Sequence, residues 1–117
     1  MRAVFVVLMS LVLSACAVWP NWNRQDTYLV HVVLVWLKDS GDESQRQQFL
    51  QSARVLQEIP GVLDMRVGRV VPGNRDVVKD DFDVGLVLRF ENQEALQAYL
   101  KHPLHVATVK DRFMPIM

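Results

Sequence analysis

Apolar and polar residues alternate along this chain in blocks whose period changes from two to about four and back. Residues 28–38 (YLVHVVLVWLK) are β-branched or aromatic without a breaker, which predicts a strand. Both of its faces are apolar. Tyr28, Val30, Val32, Leu34 and Trp36 form one, and Leu29, His31, Val33, Val35 and Leu37 the other. A single layer of helices covers one face of a sheet, so the second needs a partner chain, a membrane or a curled sheet. Residues 43–58 follow at helical spacing, with Phe49, Ala53, Leu56 and Ile59 as the apolar stripe and Pro60-Gly61 as the stop. Ser40 and Glu43 stand at capping-box spacing before that helix.

Residues 62–71 return to alternation, with Leu63, Met65 and Val67 on one face and Asp64, Arg66 and Gly68 on the other. A polar connection with a Pro-Gly-Asn turn leads to a third strand, 82–91, whose Val84, Leu86, Leu88 and Phe90 share a face. Asp80, Asp81 and Asp83 read as its solvated entry. Asn92 caps a helix over 93–101, and Pro103 opens a short helix over 103–113. The order β-α-β-β-α predicts an α+β fold of the ferredoxin-like type, without the last strand of that layout.

The first 27 residues have another character. Arg2 precedes an uncharged apolar run, 3–13, and Leu13-Ser14-Ala15 leads into Cys16, the only cysteine. This is the layout of a secretory signal, and it resembles the lipobox of bacterial lipoproteins. The run is shorter than the ~20 residues that span a bilayer comfortably. The reading is a signal peptide over 1–15, an acylated Cys16, and a tether over 16–27 in which Trp19 and Trp22 are suited to the headgroup level. The lipid bilayer is then a partner through Cys16, and the location is a bacterial cell envelope. Ala17 is not the aspartate that retains lipoproteins in the inner membrane, which favours the outer one. Residues 28–117 form one domain. With Cys16 as anchor no disulfide is available, so the domain is held by packing.

The chain carries 13 basic and 13 acidic side chains, a formal charge of +0. That balance gives no electrostatic footprint for nucleic acid. No phosphate-binding glycine loop, nucleophile elbow or Cys–His pair occurs, and no cofactor is implied. His102 and His105 stand at HxxH spacing, too weak with Asp83 or His31 to define a metal site.

The candidate chemistry lies in Tyr99, His105 and His31. Imidazole titrates near neutrality and a phenol can hold an enolate, so a histidine beside a tyrosine is an acid/base pair. The same residues also read as structural ones: His31 as a core histidine, His105 as a partner of a backbone carbonyl, and His102 as a cap before Pro103.

Three features together resemble the stress-responsive A/B barrel (Dabb) family: His31 in the first strand, EIPGV at 58–62, and AYLKHPLH at 98–105. The resemblance runs from Tyr28 to the end. It implies a ferredoxin-like sandwich whose sheets pair between two copies, and hence a homodimer. It also implies that Tyr99 and His105 carry the chemistry of catalytic members, with His31 nearby. Family members continue into a fourth strand, so the first strand is expected at an open edge here. Plant polyketide cyclases of the family have a His where this chain has Asp83, and a Tyr where it has Ser52, which argues against a cyclase. The function expected is a membrane-anchored binding module for a small apolar or aromatic ligand or a partner protein. The alternative is a cyclase- or lyase-type enzyme using Tyr99 and His105.

Overall fold

The computed structural model describes residues 27–117. The readings of residues 1–15, of Cys16, and of Trp19 and Trp22 in the tether lie outside these residues. The order is β1 (Leu29–Val35), α1 (Glu43–Ala53), a 3₁₀ turn (Arg54–Glu58), β2 (Val62–Arg69), β3 (Val84–Phe90), α2 (Gln93–Lys101), α3 (Pro103–Thr108) and a π turn (Val109–Phe113). The strands form one antiparallel sheet in the order β1-β3-β2, so β3 is central and β1 is an edge among the described residues. This is the expected ferredoxin-like α+β layout.

The helices cover one face of the sheet. Val84, Leu86, Leu88 and Phe90 of β3 point into them, each at most 3% exposed. The stripe of α1 and its 3₁₀ extension meets them, since Phe49, Ala53, Leu56 and Ile59 are all buried. Phe113 stacks on Phe49 with ring centroids 4.1 Å apart. The π turn makes that contact: Met114 N donates to Val109 O at 2.9 Å, one residue beyond helical spacing, which rotates Phe113 inward.

The other face is open. Tyr28, Val30, Val32, Leu34, Trp36 and Val87 lie on it, each between 38% and 57% exposed. Leu63, expected with Met65 and Val67, is instead 59% exposed. The register shifts between Val62 and Asp64, and this bulge takes Leu63 out of the alternation.

The expected solvated character of Asp83 is corrected by its burial. Its carboxylate accepts from Leu37 N at 2.9 Å, Gly41 N at 2.9 Å and Ser40 Oγ at 3.0 Å, with Arg46 3.8 Å away. Ser40 therefore does not cap α1; Asp42 does, accepting from Gln45 N at 2.7 Å. Gly41 reaches the carboxylate from φ +83°, where a side chain is strained. β1 ends at Val35, short of residue 38, because the amide of Leu37 bonds this carboxylate instead of a strand backbone.

Burial alone raises the Asp83 pKa. The amides of Leu37 and Gly41, the Ser40 hydroxyl and Arg46 outweigh it, so the net shift is downward. A carboxyl lowered in the folded state contributes stability above its unfolded pKa and loses it as pH falls through the folded one. Asp83→Asn should lower stability by about 2 kcal/mol at neutral pH, since an amide cannot accept from all three donors. Urea unfolding at pH 7 and pH 3 checks this, and the deficit should shrink at the lower pH.

Candidate functional site

Asn92 starts α2 by accepting from Ala95 N at 2.9 Å, and the helix turns Tyr99 onto the sheet, where it is 2% exposed. Tyr99 packs on Phe90 at 5.0 Å between ring centroids. His102 ends α2 and caps α3, with Nδ1 accepting from Leu104 N at 3.2 Å, so its role is the structural one. Pro103 then directs α3 back over α2. His105 returns to Tyr99, with ring centroids 4.6 Å apart and planes at 56°. His31, opposite Leu88 in the ladder, shares the helix-covered face. It stands near enough to His105 that its charge, when protonated, lowers the proton affinity of His105. The three candidates thus gather on the covered side of the sheet.

The protonation states follow from the surroundings. Desolvation raises the Tyr99 phenol to about 12, which keeps it a donor at neutral pH. Desolvation lowers His105; its bond to the Leu100 carbonyl opposes this, and His31 adds to the lowering. Desolvation also lowers His31. His105 Nδ1 lies 3.0 Å from Leu100 O, which fixes the neutral tautomer with the proton on Nδ1 and the lone pair on Nε2. A phenolic donor and an imidazole acceptor therefore sit side by side in an apolar layer.

A groove of about 500 Å³ runs between α1 and α3, lined by Ser52, Val55, Leu104, Ala107 and Thr108 among others. It shares α3 with His105, although Tyr99, His105 and His31 do not line it. Ser52, which stands where the cyclases carry Tyr, is therefore on a cavity wall. Asp83, the other departure, is committed to its structural cradle. Sequence reasoning did not pick out Thr108, which is 5% exposed; helical spacing three residues after His105 was the available signal. Among the described residues, no group of three or more His, Cys, Asp or Glu side chains could hold a metal ion. No described helix is long and apolar enough to cross a membrane.

The family model of the stress responsive A/B barrel domain matches residues 29–117, and the chain belongs to that family. Among solved structures it is similar to a Dabb family protein with a ferredoxin-like fold from Mesorhizobium loti. That match has 29% identity and a TM-score of 0.63, covering 76% of this chain and 85% of the other. It is also similar to a dimeric ferredoxin-like protein of unknown function from Thermobifida fusca, at 20% identity, TM-score 0.61, and 83% and 88% coverage. The hydroxynitrile lyase of Passiflora edulis shares the fold at 17% identity, TM-score 0.63, and 78% and 85% coverage. No curated protein matches the chain.

The histidine shifts set a pH dependence. A base lowered in the folded state is protonated more readily when unfolded, so its neutral form stabilises the fold above the unfolded pKa, and stability falls with pH below it. The urea midpoint should therefore drop between pH 7 and pH 5.5. A His31→Gln, His105→Gln double variant should flatten that slope, as equilibrium unfolding at the two pH values would show.

Proposed function

We propose that this protein is a lipid-anchored, dimeric A/B barrel domain that holds a small apolar or aromatic ligand carrying one hydrogen-bonding oxygen. The observation that carries the reading is the Tyr99–His105 contact: a protonated phenol and a free imidazole lone pair, 4.6 Å apart by ring centroid, within an apolar layer. The groove between α1 and α3 does not reach the pair, so the reading rests on the contact itself and not on that groove. The ligand's oxygen accepts from Tyr99, His105 Nε2 takes a proton donated by the ligand, and the apolar body packs against the core.

A second reading, acid/base catalysis of the cyclase or lyase sort, rests on the same pair. His105 Nε2 serves as base and Tyr99 stabilises the oxygen that gains charge. The fold of the Passiflora edulis lyase shows that this architecture hosts such chemistry, but shared architecture is weak support for function.

The homodimer is supported by the open apolar face, which a second copy would cover, and by the dimeric Thermobifida fusca protein. The envelope location rests on Leu13-Ser14-Ala15-Cys16. Acyl chains on Cys16 would hold the domain at the membrane, each buried CH₂ contributing ~0.8 kcal/mol.

Two experiments test these readings. Purified protein should release a small molecule on denaturation, detected by mass spectrometry. Tyr99→Phe should weaken its rebinding by about 0.5–1.5 kcal/mol, and His105→Ala by more, with loss of pH dependence near neutrality. Lower melting temperatures with unchanged affinity would assign both residues to the core. Separately, Cys16→Ser should release the protein from membranes or leave it as precursor; fractionation and migration like wild type would discard the anchor.

A further inference from the structure

Tyr99 stands near the end of α2 and His105 in the first turn of α3, so their contact depends on the angle between the two helices. One residue forms that joint. His102 is the C-cap of α2 and the N-cap of α3, with φ −63° and ψ 135°. Its N–H donates to Tyr99 O at 3.1 Å, and its C=O accepts from Val106 N at 3.0 Å. Its ring Nδ1 accepts from Leu104 N at 3.2 Å. The backbone of His102 thus belongs to both helices, and its side chain reaches into the second.

The start of α3 has few other supports. A helix leaves its first four N–H groups without intrahelical partners. Here the first, on His102, goes back to Tyr99 O; the second does not exist, because the residue is Pro103; the third, on Leu104, goes to the His102 ring. α3 runs six residues before the π turn, too short to hold its direction by its own propensity. Pro103 keeps His102 in the extended range of ψ, but that range is about 40° wide. Each ψ within it aims α3 differently. The ring bond selects one setting, because Leu104 N has to meet Nδ1 at hydrogen-bond distance. The two histidines of the joint need opposite tautomers. His102 accepts at Nδ1, so its proton sits on Nε2. His105 donates from Nδ1 to Leu100 O at 3.0 Å, so its lone pair is on Nε2. Together they tie the Tyr99 and Leu100 carbonyls, at the end of α2, to the first turn of α3.

We propose that His102 is a positioning residue for the Tyr99–His105 pair: by accepting from Leu104 N, its imidazole sets the angle between α2 and α3 at which His105 lies against Tyr99. Its importance for binding rests on the reading of that pair given above, but the geometry is measured without any ligand. His102 acts through the joint between the helices and is not itself a binding group.

The test is NMR spectroscopy of the full isotope-labelled chain in mild detergent. In the unaltered protein the ring nitrogen shifts should place the His102 proton on Nε2 and the His105 proton on Nδ1. The His105 ring protons should carry the ring-current shift of Tyr99. His102→Ala removes the acceptor. It should lose most of that shift while the Leu86 and Leu88 amide signals of the central strand stay in place. His105 should then titrate closer to the ordinary histidine range, because the desolvation that lowers it is relieved. His102→Asn returns a side-chain acceptor to the cap and should restore both signals. An unchanged ring-current shift in His102→Ala would overturn the proposal. So would a folded His102→Asn chain that fails to restore it. A His102 ring protonated on Nδ1 in the unaltered protein would overturn it too, whether or not the Ala variant folds. If denatured protein releases no small molecule while these spectra come out as expected, the binding reading falls and the joint stands. If a molecule is released while His102→Ala leaves the spectra unchanged, the positioning role alone falls.

Discussion

A sheet with two apolar faces and one layer of helices is the constraint on which the structure turns. β1 is apolar on both sides apart from His31, and the helices cover only the side facing α1 and α2. On that side the central strand is fully buried, while Leu29 and Val33 of β1 and Met65 and Val67 of β2 are partly buried. The opposite side leaves Tyr28, Val30, Val32, Leu34 and Trp36 in contact with solvent. A contiguous surface of that kind marks an interaction site more often than an ordinary monomer surface. The open face is therefore the surface that the homodimer proposed above would cover.

Within the covered side, Asp83 does for the turn what the apolar stripe does for α1. One carboxylate holds the end of β1, the turn through Ser40 and Gly41, and the start of β3. That one buried acid ties three segments together is a link that composition does not reveal.

The regular elements were legible because their patterns are periodic. Val84, Leu86, Leu88 and Phe90 alternate without interruption, and Phe49, Ala53, Leu56 and Ile59 keep one helical face. What periodicity misses are the irregularities. Leu63 fits the alternation but leaves it at a bulge, which no residue type announces. Ser40 and Glu43 have the spacing of a capping box, yet Asp42 is the better placed acceptor and Ser40 is drawn to Asp83. Asp83 itself stood in an acidic run with Asp80 and Asp81, and only the approach of residues distant in sequence separates a buried carboxylate from solvated ones. For the site, Tyr99 and His105 were readable as a pair because Pro103 bends the chain between them. The cap formed by His102 was readable for the same reason. The groove beside Ser52 and Thr108 was not, since it depends on the spacing between two helices.

Tyr99 and His105 combine features that a purely structural pair need not have. A core tyrosine lowers its desolvation cost by hydrogen bonding, yet no described residue partners the Tyr99 hydroxyl. A core histidine can spend both ring nitrogens, yet His105 spends Nδ1 on Leu100 and directs no described bond from Nε2. Among the described residues the buried side-chain atoms without a partner are Arg46 Nε and Arg89 Nε, so neither the Tyr99 hydroxyl nor His105 Nε2 is an orphaned buried atom. Desolvation holds one as a donor and the other as an acceptor across neutral pH. In the reading proposed above, a ligand oxygen would meet the Tyr99 donor and the His105 acceptor together. A reaction at the same pair would gain from it only to the extent that charge develops on that oxygen in the transition state.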